Sequence, residues 1–177
     1  MEIVRYAADG WGVGEVVLEG TRLLYHAHPA PRPELTPNAP QGMPEIPVIR
    51  LSAKSSRVGA GFVPRFTRLL TRYFDGQRVS FDEIEIDLDW CTSFQAELVA
   101  AARSVPRGET VTYGELAALA GRPNAARAAG TFCAHNRFAL VVPCHRVVGA
   151  GGLGGYGSLG LEYKRRLLAL EGADVPF

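Results

Sequence analysis

Prolines crowd into one short part of this chain and limit what can fold there. Of the 12 prolines among 177 residues, seven lie between residues 29 and 47. Each proline fixes its own φ and removes a backbone donor, so neither a helix nor a central strand tolerates this density. We therefore expect an extended surface loop over residues 29–47, with regular elements on both sides of it.

The segments around this loop predict a few strands and one helix. Gly12–Leu18 and Thr21–His26 are typical of two strands joined by a tight hairpin turn. Apolar residues recur at helical spacing from Pro64 to Phe74, and Val79–Leu88 alternates as a strand does. We place a domain boundary near Asp89–Cys91 because the pattern becomes mainly helical after it.

The second domain, residues 91–177, carries clear helix signals. Thr92 with Gln95, and Thr112 with Glu115, form two capping boxes. The expected helices follow Thr92, follow Thr112, run from Ala125 to about Cys133 with Asn124 as N-cap, and run from about Leu161 to Glu171. We expect Lys164, Arg165 and Arg166 on the last helix to face solvent or phosphate.

Composition and charge narrow the class of protein. No run approaches the roughly 18 apolar residues of a membrane span. The N-terminus lacks signal-peptide features, and the three cysteines fit a reducing cytosol. Residues 101–171 carry nine Lys and Arg against four Asp and Glu, whereas residues 1–100 carry ten against 13. We expect a cytoplasmic protein, in a bacterial-type cytosol or a nucleus, whose basic half suits a nucleic-acid backbone.

The helix predicted to begin at Ala125 carries almost only small side chains. Ala125–Thr131 contains four alanines, one glycine, one threonine and a single long polar residue, Arg127. A helix that reads bases in the major groove carries several long polar side chains. This one favours minor-groove or shape binding, with Arg127 filling the place of a flipped base. The alternative is an ordinary helical hairpin whose small residues allow tight packing, with Arg127 in solvent.

A thiol and an imidazole stand side by side at Cys144-His145. Ala139–Val142 is expected to be a buried strand, and Pro143 then turns the chain so that the thiol is presented. A neighbouring histidine can take the proton of a cysteine nucleophile. The alternative is a buried structural cysteine. A zinc site built from Cys133, His135, Cys144 and His145 fits no standard ligand spacing, so we expect no metal.

Together these pieces resemble the O6-alkylguanine-DNA alkyltransferases, also called methylated-DNA–protein-cysteine methyltransferases. The matching residues lie between Thr92 and Gly172, nearly half of the chain. They are Ser93-Phe94-Gln95, Pro106-Arg107-Gly108-Glu109-Thr110, Thr112-Tyr113-Gly114-Glu115-Leu116-Ala117, Ala125-Ala126-Arg127-Ala128, Asn136, Val142-Pro143-Cys144-His145-Arg146-Val147-Val148, Gly155-Tyr156-Gly157 and Leu167-Leu168-Ala169-Leu170-Glu171-Gly172. The Pro-Cys-His-Arg core is very specific in this context.

The resemblance implies an α+β fold and a DNA repair activity. The N-terminal domain, residues 1–90, would be a small α/β unit with a ribonuclease-H-like sheet. The C-terminal domain, residues 91–177, would be mostly helical, with a winged helix-turn-helix-like DNA-binding part. The protein would act as a monomer on double-stranded DNA, with no cofactor. It would move the alkyl group of O6-alkylguanine, with O4-alkylthymine as a further candidate, irreversibly onto its own cysteine.

The resemblance also assigns roles to individual residues. Cys144 would accept the alkyl group, and His145 would draw its proton, relayed through a water to Glu171. Tyr113 would serve guanine N3 and turn the 3′ phosphate, and Asn136 would be a hinge. The DNA-binding residues would be Arg127, Tyr113, Ala126, Ala128 and Gly130. The substrate pocket would be formed by Val147, Tyr156, Gly157 and Ser158, with the backbone carbonyls of Cys144 and Val147 holding the exocyclic amine.

Two other functions remain as alternatives. Alkyltransferase-like proteins share the fold and bind damaged DNA without transfer, but they usually carry tryptophan where this chain has Cys144. A cysteine hydrolase would need an oxyanion hole and a distant histidine, and the sequence indicates neither.

Overall fold

Alternating apolar residues at the start of the chain build an antiparallel sheet. In this computed structural model, which describes residues 1–30, 48–50 and 61–174, β1 is Glu2–Ala8, β2 is Gly12–Glu19 and β3 is Arg22–Ala30. The short β4 (Val48–Arg50) pairs parallel with β1, and the strand order is β3-β2-β1-β4. A Cβ at Gly14 would overlap the ring of the fully buried Tyr6 on the neighbouring strand, so glycine is required there.

The hairpin prediction is confirmed by β2 and β3, which pair antiparallel. The sequence reasoning missed β1. It also assigned Pro29 and Ala30 to the proline-rich loop, whereas both belong to the end of β3, where a proline is tolerated. The remaining residues of the predicted loop, 31–47, lie outside the described part of the chain.

One helix packs against this sheet, and the segment after it is not a strand. α1 (Phe62–Phe74) confirms the predicted helix and lies on β1. The strand predicted over Val79–Leu88 is wrong, because the chain turns after Phe81 and only Ile86 forms a bridge, to Leu23. Phe81 and Ile86 are nevertheless buried. The alternating apolar pattern therefore indicated which side chains face the core, but it did not indicate whether the backbone pairs with another strand.

The rest of the chain is mainly helical. Its elements are α2 (Ser93–Ser104), β5 (Val111–Thr112), α3 (Tyr113–Leu119), α4 (Ala126–Ala134), a first 3-10 turn (Cys144–Arg146), β6 (Val147–Val148), a second 3-10 turn (Gly157–Leu159) and α5 (Gly160–Glu171). Both predicted capping boxes are present, at Thr92 and at Thr112. Asn124 is not the N-cap of α4. Ala125 closes a turn onto Arg122 instead, so the helix begins one residue later than expected.

The chain divides into two compact units, Met1–Asp87 and Leu88–Phe177. Within the second unit, α3 packs against α2 and α4, β5 pairs parallel with β6, and α5 packs against the first 3-10 turn. None of the helices in the described ranges has the length and apolar character needed to cross a membrane. The architecture is a mixed α/β fold with a small sheet and five helices.

The segment before the thiol is a series of tight turns and not the strand that was expected. Val142 N–H donates to the Phe138 carbonyl at 2.8 Å, and Leu140 has a positive φ of 64°. Every residue from 138 to 142 is buried. The apolar run correctly indicated burial, but the turns bend the backbone away from a strand conformation.

Candidate active site

Cys144 opens the first 3-10 turn and lies at the wall of a small cavity. Its thiol is 5% exposed, and its backbone N–H donates to the Val142 carbonyl at 2.8 Å. The cavity has a volume of about 250 Å³. It is lined by Tyr113, Gly130, Cys133, Ala134, Cys144, Gly155, Tyr156 and Gly157. A space just below the roughly 300–1,000 Å³ of typical small-molecule sites suits a group about as large as one base.

Behind the thiol lies a buried ionic network centred on Glu171. His145 Nε2 is 3.0 Å from Glu171 Oε1. Arg146 donates to both carboxylate oxygens, from Nη2 to Oε1 at 2.9 Å and from Nε to Oε2 at 2.8 Å. The same guanidinium donates from Nη1 to the Val105 carbonyl at 2.7 Å. A two-point arginine contact of this kind fixes the plane of the carboxylate.

The network determines which nitrogen of His145 is basic. Burial alone would raise the pKa of Glu171, but the hydrogen bonds from His145 and Arg146 hold it well below its usual range. A carboxylate can only accept, so Nε2 carries the hydrogen and Nδ1 holds the lone pair. Burial lowers the pKa of His145, against the opposing effect of Glu171, so the ring is neutral at neutral pH and able to take a proton.

Three neighbouring side chains affect the thiol. Interaction with Cys133, together with burial, raises the pKa of the Cys144 thiol well above its usual range, although Asn136 and the Lys164 cation act in the opposite direction. Asn136 also donates from Nδ2 to the Val142 carbonyl at 2.8 Å and accepts from Phe138 N–H at 2.9 Å. It therefore ties the end of α4 to the turns that lead to the thiol.

Lys164 is buried beneath the site, contrary to the sequence expectation that it would face outward. Its ammonium donates to the carbonyls of Val147, Leu153 and Gly155 at 2.5, 2.6 and 3.4 Å. Burial lowers its pKa to about 8, while charge on Cys133 and Cys144 acts to raise it. Three buried carbonyls can hold an ammonium that solvent does not reach, and a helical pattern alone does not reveal such partners.

Glycine allows the loop before α5 to close against Tyr113. Gly155 N–H donates to the Tyr113 hydroxyl at 3.3 Å. Gly154 has a φ of +73°, and a Cβ there would lie 2.7 Å from the same oxygen. Burial raises the pKa of Tyr113 in spite of the bond from Gly155, so the phenol keeps its proton at neutral pH.

Comparison with known proteins supports one family. A family profile described as 6-O-methylguanine DNA methyltransferase, DNA binding domain, matches residues 93–173. The methylated-DNA–protein-cysteine methyltransferase of Mycolicibacterium paratuberculosis is 50% identical over 108 residues, which cover 60% of this chain and 64% of that relative. That of Metallosphaera sedula is 45% identical over 114 residues, which cover 64% of this chain and 70% of the relative.

The chain belongs to the methylated-DNA–protein-cysteine methyltransferase family. The fold agrees: a crystal structure of Mycobacterium tuberculosis OGT in complex with DNA has a TM-score of 0.70 to this chain at 34% identity. That match covers 95% of this chain and 92% of the other. The matched part of the sequence spans 64% of the length of the M. paratuberculosis relative.

The structure brings the five predicted catalytic residues of this family member into one region. Cys144, Asn136 and Tyr113 surround the cavity side, and His145 and Glu171 form the buried pair behind it. One expectation is corrected. A water relay between His145 and Glu171 is excluded by their direct contact at 3.0 Å, because no water fits between atoms at that separation.

Only some of the predicted pocket residues lie at the cavity. Tyr156 and Gly157 line it. The Val147 side chain is fully buried and Ser158 is exposed, and neither is part of the lining. The Val147 carbonyl, expected to hold an exocyclic amine, already accepts from Lys164 and keeps one lone pair.

Of the predicted DNA-binding residues, Tyr113 begins α3 and the other four lie along α4. Arg127 and Ala128 are exposed, whereas Ala126 and Gly130 are half-buried. Gly130 faces Tyr113, and a Cβ there would lie 3.8 Å from its ring. The exposed residues of α4 and its residue that faces Tyr113 are therefore neighbours on one helix.

Sequence reasoning gave no role to two residues that lie at the site. Arg146 was part of a quoted motif, but its clamp on Glu171 joins residues 25 positions apart. Cys133 was considered only as a zinc ligand. Nothing in the sequence around Cys133 indicates that it lies near Cys144, because the turns between the two residues bring them together.

Proposed function

We propose that this protein repairs alkylated DNA as a single-turnover methylated-DNA–protein-cysteine S-methyltransferase. The alkyl group of O6-alkylguanine, with O4-alkylthymine as a second candidate substrate, moves irreversibly to Cys144. The observation that carries this is a thiol at the wall of a base-sized cavity, backed by the His145–Glu171 pair. The names of the relatives point to the same chemistry.

The transfer is one displacement at an alkyl carbon. The neutral His145 ring takes the Cys144 proton, and Glu171 stabilises the imidazolium that results. The sulfur forms a bond to the alkyl carbon as the bond from that carbon to O6 breaks. Guanine leaves with the electron pair and is neutralised by a proton. Because the pKa of Cys144 is raised, the resting thiol is protonated and loses its proton in the course of the transfer.

Tyr113 assists the leaving base. Its raised pKa leaves the phenol protonated, so it can donate a hydrogen bond to guanine N3 as negative charge develops there. Its hydroxyl also lies at the cavity rim, where it can turn the 3′ phosphate. Asn136 acts as the hinge that holds the thiol in position relative to α4.

Double-stranded DNA is the partner, approached from the minor groove. The small side chains of Ala126 and Ala128 allow close contact with the backbone, and Gly130 opens the way to the cavity. The exposed Arg127 fills the stack that a flipped base leaves. The base then enters between Tyr113 and the Tyr156-Gly157 wall.

The proposal also covers the two domains, the oligomeric state and the location of the protein. Residues 1–90 form a ribonuclease-H-like α/β domain, and residues 91–177 form a winged helix-turn-helix-like domain that contains the acceptor. The protein acts as a monomer, because the cavity, Cys144 and Arg127 all belong to one copy of the chain. It works where the DNA is, in a bacterial-type cytosol or a nucleus.

Intact-mass analysis tests the transfer. Incubation of the reduced protein with duplex DNA containing O6-methylguanine should add one methyl group, about 14 Da, to Cys144. Peptide mapping locates the added mass. Cys144→Ala, which keeps the cavity but lacks the nucleophile, should gain none.

The same experiment separates the alternatives. Binding to the methylated duplex without any mass increase would instead make this a damage-binding protein. A mass increase that persists in Cys144→Ala would overturn Cys144 as the acceptor.

A further inference from the structure

A second thiol lies beside the acceptor. Cys133, near the end of α4, lines the same cavity as Cys144, and its interaction with Cys144 raises the pKa of that thiol. Cys133 is half-buried, so it is more accessible than Cys144. The third cysteine, Cys91, is half-buried and is not part of the cavity lining. The proposed transfer uses Cys144 and leaves Cys133 without a task.

The shared cavity brings the two thiols together. Sulfurs in a disulfide lie about 2 Å apart, and two cysteines that line one cavity of about 250 Å³ can turn their sulfurs toward each other across it. The cavity gives a small oxidant access to both. The Lys164 ammonium interacts electrostatically with Cys133 and Cys144, and a nearby cation stabilises the thiolate that attacks in such a reaction.

We propose that Cys133 and Cys144 form a reversible disulfide that holds the acceptor sulfur in an inert state under oxidising conditions. A peroxide first oxidises the more accessible Cys133 thiol to a sulfenic acid, transferring one oxygen and releasing one water. The Cys144 sulfur then attacks the sulfenic sulfur, the S–S bond forms, and the sulfenic oxygen leaves as water. In total, two thiols and one peroxide give one disulfide and two waters.

The disulfide would preserve a sulfur that is otherwise used once. A lone thiolate exposed to excess peroxide continues to sulfinic and sulfonic acids, which ordinary thiols do not reduce. A disulfide stops this sequence and returns to two thiols with a dithiol reductant. This protective consequence rests on the proposed function of Cys144, whereas formation of the disulfide does not.

Mass spectrometry of the whole protein tests the bond. The reduced protein is treated with hydrogen peroxide, remaining thiols are blocked with N-ethylmaleimide, and the intact mass and non-reduced peptides are measured. We expect a loss of about 2 Da, only one blocked cysteine, and a cross-linked peptide joining Cys133 to Cys144. Dithiothreitol should restore three blockable thiols.

Matched variants locate the partner. Cys91→Ser should form the same cross-link as the unaltered protein. Cys133→Ser should not, and its Cys144 should instead gain about 32 Da as sulfinic acid. A wild-type protein that shows this gain and no cross-linked peptide would overturn the proposal, whether or not Cys133→Ser folds.

A parallel assay separates this proposal from the proposed function. Peroxide-treated protein should lose methyl transfer from O6-methylguanine DNA and regain it after dithiothreitol. If the cross-link forms but the reduced protein never transfers a methyl group, the proposed function fails and the disulfide stands. If transfer occurs and no cross-link forms, the disulfide fails alone.

Discussion

At the residue scale, one carboxylate sets the state of the base. Glu171 accepts a hydrogen bond from His145 on one carboxylate oxygen and hydrogen bonds from Arg146 on both oxygens. Arg146 satisfies the charge of the buried carboxylate, so Glu171 stays ionised and orients the His145 ring without taking its proton. His145 was identifiable as a base from its position beside Cys144, but its tautomer depends on partners that only the folded chain brings together.

Glu171→Gln tests this arrangement. Glu171 raises the pKa of His145 against the effect of burial, so the amide should lower that pKa further and weaken the base. We expect methyl transfer at neutral pH to slow by about 10²-fold. Transfer rates measured against pH should show the acid limb at lower pH than in the unaltered protein.

Glu162→Gln is the matched control, because Glu162 is an exposed residue on the same helix. Its pH profile should coincide with that of the unaltered protein. If Glu171→Gln loses rate but its acid limb does not move, Glu171 supports the fold and not the basicity of His145.

At the scale of elements, α4 joins the face proposed to contact DNA to the thiol. Arg127 is on its exposed side, while Gly130 and Cys133 line the cavity. The sequence predicted α2 and α3 well because capping boxes are local, whereas α4 has no side-chain cap and begins one residue later than expected. The sequence mispredicted the run from Ala139 to Val142, since burial on all sides looks the same in a strand and in tight turns.

Arg127→Ala should separate DNA handling from chemistry. Loss of the side chain that replaces a flipped base should slow repair of duplex DNA by about tenfold or more, equivalent to roughly 1.4 kcal/mol. Reaction with free O6-methylguanine base, which needs no flipping, should be unchanged. Both rates are measured by the appearance of methylated protein.

Arg68→Ala removes an exposed arginine from α1, in the other unit. It should leave both rates unaltered. Equal losses on duplex and free base in Arg127→Ala would show that the arginine does not act on the DNA stack.

At the scale of the whole molecule, the basic charge of the second half is not all available to DNA. Of the cations on α5, Arg165 and Arg166 are exposed, but Lys164 is fully buried on three carbonyls. Charge counting predicted a basic half correctly and misassigned this lysine. Its partners are Val147 of β6 and two residues of the loop between β6 and α5, and that loop has no periodic pattern from which they could be predicted.

Lys164→Met should destabilise the fold, because the carbonyls of Val147, Leu153 and Gly155 would lose a buried donor. We expect a loss of about 1–3 kcal/mol in the free energy of unfolding at neutral pH. The pKa of Lys164 is lowered to about 8 in the folded protein, so the unfolded state binds more protons above that pH. The stability of the unaltered protein should therefore rise between about pH 8 and pH 10, and the deficit of the variant should widen.

Urea denaturation at both ends of that pH range measures the effect. Arg165→Met, at the exposed neighbouring position, should change the unfolding free energy by less than about 0.5 kcal/mol. A Lys164→Met protein as stable as Arg165→Met would mean that the three contacts contribute nothing net.

The contacts that anchor Glu171 also make the site depend on complete folding. Arg107 donates to the Leu170 carbonyl at 2.7 Å, and Arg146 links Val105 to Glu171. The carboxylate that orients His145 lies at the end of α5, so it reaches the histidine only when α5 has packed against the first 3-10 turn. A chain in which α5 is not packed therefore carries a Cys144 thiol without an oriented base.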